Sequence, residues 1–206
     1  MSLRLLVFLH FLFIQSSVAL GFDHTHAEWT KVLKKSILIK DAENLVDYIS
    51  LKKDPSNLLK YVRSLELVSS TEFQKLKKEE QLAFLINAYN ALTIKLVISH
   101  YPITTLLEVR RGSLGAWDIP FFNVLKRIQT LNALEKEIMK ISERDPRIHM
   151  ALVCATLSCP KLHNIAFQAD TLNQQLDRSV DDFVNNWKLN YFDREKKRFY
   201  LSSIFR

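Results

Sequence analysis

Glycine, proline and cysteine are scarce, with 3, 5 and 2 copies in 206 residues. Alongside 48% hydrophobic residues and 13 phenylalanines, that scarcity excludes collagen-like repeats, linker-rich disorder and turn-dense all-β arrays. No glycine-rich phosphate loop can be assembled. The two cysteines, Cys154 and Cys159, have only His149 and His163 near them in sequence, too thin a ligand set for zinc. No metal and no cofactor are therefore expected. Repeats, linkers and low-complexity tracts are also missing, and the length suits one domain.

Charge of one sign is not concentrated either. The chain carries +7, but its lysines and arginines are spread over Lys31-Lys34-Lys35, Lys75-Lys77-Lys78 and Arg194-Lys196-Lys197-Arg198, with acids between them. Nucleic-acid binders gather such charge on one face and interleave stacking aromatics. A solvated surface is the reading that fits, and no nucleic-acid partner is expected.

What is present begins with MSLRLLVFLHFLFIQSSVALG. An early Arg4, an apolar run from Leu5 to Ile14 and small residues around Ser16, Ser17, Ala19 and Gly21 have the layout of a signal peptide. The run is near ten residues, against about 20 for a membrane-crossing helix. Residues 1–21 are thus expected to be a leader cleaved after Ala19 or Gly21, and 22–206 a single globular domain, secreted or periplasmic. Removing Arg4 takes the charge from +7 to +6. No later segment reads as apolar enough to span a membrane, so no stable span remains after cleavage.

Helical spacing dominates the rest. Trp29, Val32, Leu33 and Ile37 mark a first helix, and Leu45, Val46, Tyr48 and Ile49 a second. Residues 55–67 form a third, with Leu58, Leu59, Val62 and Leu65 on its inner stripe, and Ser69 with Glu72 has capping-box spacing. Residues 79–101, EEQLAFLINAYNALTIKLVISHY, are apolar almost all round, which predicts a helix buried on every side and stopped by Pro102. Residues 121–130 alternate as a hairpin about Lys126-Arg127. A helix follows with Asn132 as its cap and Glu135 at its third position, and RIHMALVCA reads as a buried strand or a helix. Asp170 opens a last helix with Leu172, Leu176, Val180 and Phe183 inward, and residues 190–202 form a closing hairpin. The fold class is α+β, mainly helical, with a buried central helix and a small, mostly antiparallel sheet.

Three polar clusters stand out. Asn87, Tyr89 and Asn90 sit inside the most apolar helix, where an unpaired buried amide costs about 1 to 3 kcal/mol. They either tie neighbouring loop backbones to the helix or hold a ligand; Asn87 and Asn90 share a face with Glu80 and Phe84. Trp117 and Asp118 follow Arg110-Arg111-Gly112-Ser113 in a loop that could line a pocket or form a backbone-bonded turn. His149, Cys154, Ser158 and Cys159 lie in DPRIHMALVCATLSCPKL. On a strand, His149 would share a face with Ala151 and Val153, one ingredient of a cysteine–histidine pair. Cys154 and Cys159 fit a disulfide, two buried thiols or a reactive Cys159.

The segments QLAFLINAYNALTIKLVISHYP, WDIPFF, DPRIHMALVCATLSCPKL and FYLSSIF together resemble domain-of-unknown-function family 547, from FDHTHAEW onward. The resemblance implies no activity. Its recurring positions fall on Glu80, Gln81, Asn87, Tyr89, Asn90, Trp117, Asp118, Pro120, His149, Cys154, Ser158, Cys159 and Pro160. The chain departs from it at Asn132-Ala133-Leu134-Glu135-Lys136, where relatives read N-D-I-E-H, and at Lys161 and His163, where they carry Pro and Arg. Relatives also continue beyond the final Phe through an aromatic pair and another helix.

Two functions follow as expectations. One is a domain that binds a small molecule or peptide in a polar pocket around Asn87, Asp118 and His149, with Glu80, Tyr89, Asn90, Trp117 and Ser158 as further contacts. The other is a hydrolase or transferase with His149 as base, Cys159 as nucleophile, and Asn87 or Asp118 as the orienting or oxyanion group.

Overall fold

Everything is arranged around one helix, α5, which spans Lys78–His100. The structure, a computed structural model, describes residues 21–40 and 43–205; the expected leader, apart from Gly21, lies outside them. The Lys77 N–H donates to Glu80 Oε2 at 2.8 Å and closes the N-terminus of α5. From Leu82 to Ile94 every side chain is buried. By length and hydropathy α5 is apolar enough to cross a membrane, against the expectation that no such segment follows the leader, but nearly all of it lies inside the protein. That is how a core helix reads.

Short amphipathic helices cover it. Helix α1 (Ala27–Ser36) packs on α3 (Ser56–Leu67), and α2 (Tyr48–Lys53) and α3 pack on α5. The Ser69 and Glu72 capping box starts α4 (Ser70–Gln74) as its spacing predicts. Helix α6 (Leu131–Ile141) lies along α5, and α7 (Leu172–Val184) packs on the turn at Pro146–Met150. The mainly helical α+β fold class is observed.

Among the described residues the strands form four separate antiparallel pairs rather than one sheet. These are β1 (Ile37–Lys40) with β2 (Glu43–Val46), β3 (Arg110–Arg111) with β4 (Leu114–Gly115), β5 (Phe122–Val124) with β6 (Arg127–Gln129), and β7 (Tyr191–Asp193) with β8 (Arg198–Tyr200). The β5–β6 turn sits at Leu125 and Lys126, one residue earlier than the sequence suggests, both with positive φ. Burial of Leu125 and the Ser70 hydroxyl donating to its carbonyl hold that bend in place.

Several local expectations are corrected. Ile37 pairs with Val46, and Leu38 with Leu45, so the second expected helix is a hairpin followed by a helix from Tyr48. Apolar residues two apart on such a short stretch cannot by themselves separate the periods. On α3, Leu59 is 40% exposed while Tyr61 takes its inward place. On α7 the buried position is Ser179 rather than Val180. Thr130, not Asn132, caps α6, its hydroxyl accepting from the Ala133 N–H at 3.1 Å. RIHMALVCA is neither strand nor regular α-helix: Pro146–Met150 is a 3-10 turn and the chain then runs irregularly through the core.

At the start of the described chain, His26 is buried with its Nδ1 2.7 Å from the Tyr61 hydroxyl and its Nε2 without a partner. Burial, then the nearby His24, lowers its pKa to about 4, whereas Asp23 pulls the other way. Burial also lowers the pKa of His163. A depressed histidine pKa means the unfolded chain binds protons first, so this stability is complete above pH 6.5 and lost as pH falls toward 4. We expect His26 alone to remove roughly 3 kcal/mol by pH 4. A thermal midpoint that drops steadily between pH 6.5 and 4, with a flatter slope in His26→Gln, is the predicted result; equal slopes would contradict it.

Candidate functional site

The irregular segment 146–168 is held by amide side chains rather than by a strand ladder. Asn90 Nδ2 donates to Ala151 O at 2.9 Å, and Asn90 Oδ1 accepts from the Val153 N–H at 3.0 Å. One turn earlier on α5, Asn87 Nδ2 donates to Phe167 O at 2.8 Å and its Oδ1 accepts from the Phe167 N–H at 3.0 Å. Both asparagines are fully buried. Of the two alternatives open for these amides, backbone tying is what they do: each spends one donor hydrogen and one acceptor lone pair on it, and full burial keeps the remainder from an external ligand. Glu80 is likewise committed to the helix cap, and Gln81 to the carbonyls of Phe73 and Leu76.

Because Asn90 fixes residues 151–153, His149 emerges from the preceding 3-10 turn toward α6. Its imidazole is about half exposed, with Nδ1 3.9 Å from Glu135 Oε1. That is ion-pair distance once the ring is protonated. Glu135 also acts on Tyr89, whose phenol is pushed well above its ordinary pKa, first by burial and then by this carboxylate. The Trp117 side chain beside the same phenol works in the opposite direction. Tyr89 therefore remains a protonated O–H at any ordinary pH. Next to Trp117, the exposed Asp118 accepts from Asn132 Nδ2 at 2.7 Å. Tyr89, Trp117, Glu135 and His149 thus come together, with Asp118 and Asn132 beside them.

This cluster adjoins an open groove of about 760 Å³ along α6, lined by Asn132, Glu135, Lys136, Met139, Lys140, Glu143 and Arg144. Asn132 and Glu135 occupy one end, with Lys136 next to them. Lys140 and Arg144 stand at the other, with Glu143 drawn off to Lys78 at 2.7 Å.

The residues singled out from their sequence pattern do not all converge. Asn87 ends on Phe167, Asp118 on Asn132 and His149 beside Glu135. The sulfurs of Cys154 and Cys159 lie at disulfide distance, with Cα atoms 6.0 Å apart, and Ser158 reaches Thr156. Glu135 was missed as a site residue. The usable signal was its spacing of three from Asn132, which puts both on one face of α6 beside the Trp117 loop. Arg147 was also missed; it bridges Asp145 and Asp177 and fixes the 3-10 turn against α7. No group of three or more metal-ligating side chains exists among the described residues.

A family model described as "Protein of unknown function, DUF547" matches residues 73–184, more than half of the chain. The match takes in α5, α6, the irregular segment and α7. It is shorter than the resembling segments suggest, leaving out α1 to α3 and FYLSSIF. No curated protein and no solved structure matches the chain.

Removing Asn90 would strand two buried backbone groups. Asn90→Ala is expected to lower unfolding stability by about 3 kcal/mol, measured by urea denaturation. Asn90→Asp, which keeps only the acceptor, should also destabilise; a loss under about 1 kcal/mol for the alanine variant would refute the clamp.

Proposed function

The chain belongs to the DUF547 family, and from that premise we propose that it is an exported binding domain whose ligand is a short peptide or a small molecule of peptide-like charge. The observation that carries this reading is the meeting of Tyr89, Trp117, Glu135 and His149 at the head of the α6 groove. An amine would be received by Glu135 and Asp118, with the Trp117 ring beside it. A carboxylate would find Lys140 and Arg144 further along. The volume suits a compact ligand, since such sites commonly run about 300 to 1,000 Å³.

In this reading Asn87 and Asn90 hold the frame and the ligand meets the side chains around His149. The leader-like residues 1–21 support export, and a cysteine pair at disulfide distance is compatible with an oxidising compartment. The hydrolase or transferase alternative is less well supported. It needs a free Cys159 thiolate, which a Cys154–Cys159 bond removes.

Titrating the isotope-labelled protein with a library of short peptides tests the site. Amide and indole shifts should cluster on Tyr89, Trp117, Glu135 and His149. Glu135→Gln should weaken binding about tenfold or more, in line with losing a charge-assisted hydrogen bond. Its melting temperature should barely move because Glu135 is partly exposed. Shifts confined to other surfaces would overturn the assignment. Expressed with its leader in a secreting host, the protein should be recovered outside the cell beginning at Leu20 or Phe22; retention with an intact N-terminus would count against export.

A further inference from the structure

The loop from Cys154 to Cys159 is not used by the ligand site, and its construction points to a second activity. Its ends are fixed independently of the cysteines. Asn90 holds Ala151 and Val153 on one side, and Asn44 Nδ2 donates to Leu162 O at 2.8 Å on the other. The Ser202 hydroxyl adds a third tie, donating to Ser158 O at 3.1 Å. Between these anchors Thr156, Leu157 and Ser158 are exposed and both cysteines are half-buried. A bridge across so short a loop restricts the unfolded chain less than a long-range bridge would. Opening it removes no anchor.

The hydroxyl of Thr156 stands beside the sulfurs, 3.1 Å from Cys159 Sγ and 3.7 Å from Cys154 Sγ. Ser158 Oγ lies 3.0 Å from the same hydroxyl and can donate to it, leaving the Thr156 proton aimed at Cys159. A hydrogen-bond donor of this kind stabilises a thiolate more than a thiol.

We propose that Cys154–Cys159 is a thiol–disulfide exchange site for external thiols, with Cys154 as the attacked sulfur and Cys159 as the leaving sulfur. An external thiolate attacks Cys154 Sγ. A new sulfur–sulfur bond forms, the Cys154–Cys159 bond breaks, and its electron pair departs on Cys159 Sγ, which receives the Thr156 hydrogen bond. A second external thiolate then attacks the external sulfur of the mixed disulfide. It leaves as the external disulfide and frees the Cys154 thiolate. Two thiols have been oxidised and one protein disulfide reduced, and the protons given up by the thiols return through water to the two cysteines. In reverse, the oxidised loop is regenerated by an external disulfide.

The test is to incubate the full chain in glutathione buffers, quench with an alkylating agent and read each cysteine by mass spectrometry. Reduction should proceed with an unchanged far-UV spectrum, and the intermediate should carry glutathione on Cys154 with Cys159 alkylated. Thr156→Val should slow reduction about tenfold, whereas Thr156→Ser should restore it. Glutathione found on Cys159 instead, reduction only after denaturation, or equal rates for the valine and serine variants would each overturn the proposal.

Discussion

Two asparagines on a buried helix hold an irregular stretch of backbone, and the rest of the molecule depends on that constraint. A polypeptide can enter a hydrophobic core without regular secondary structure only if its peptide groups find other partners. Asn87 and Asn90 supply them, each offering one donor and one acceptor to groups sixty or more residues away. The apolar side chains around these contacts, including Ile148, Ala151, Leu152 and Phe167, can then be buried. A strand would have achieved the same burial but would have required a neighbouring strand, and none lies beside this segment among the described residues.

The functional consequence comes from where the clamps leave the chain free. His149 lies just before the Asn90 anchor and reaches Glu135, while the cysteine loop lies just after it. One side chain in the core therefore positions two different surface features, an aromatic and acidic cluster at the head of the α6 groove and a cysteine pair flanked by hydroxyls. Arg147, tied to Asp145 and Asp177, steadies the turn from the other side. Its guanidinium holds the Asp145 carboxyl below the usual carboxylate range.

Much of this was legible in the residues. A helix with no polar face could only be central, and Ser69 with Glu72 marked a helix start through a reciprocal pair of hydrogen bonds. The alternation in residues 121–130 identified one hairpin, because strand periodicity survives even in pairs of three residues, and the charged turn between Asp193 and Arg198 marked a second. RIHMALVCA misled because an apolar run reports burial and says nothing of who satisfies its backbone. The partners, Asn90 and Asn87, were visible as anomalies in α5, yet which peptide groups they served depended on tertiary packing. Glu135 was hidden for a similar reason: it resembles any charged residue on an amphipathic helix until Tyr89 and His149 are seen beside it.

Hydrogen exchange at the Val153 and Phe167 amides tests the central claim most directly. If the asparagine oxygens hold these protons, both should exchange as slowly as the amides in the middle of α5, despite belonging to no helix or strand. Exchange at the rate of the exposed Thr156–Ser158 loop would contradict the clamp and, with it, the placement of both surface features.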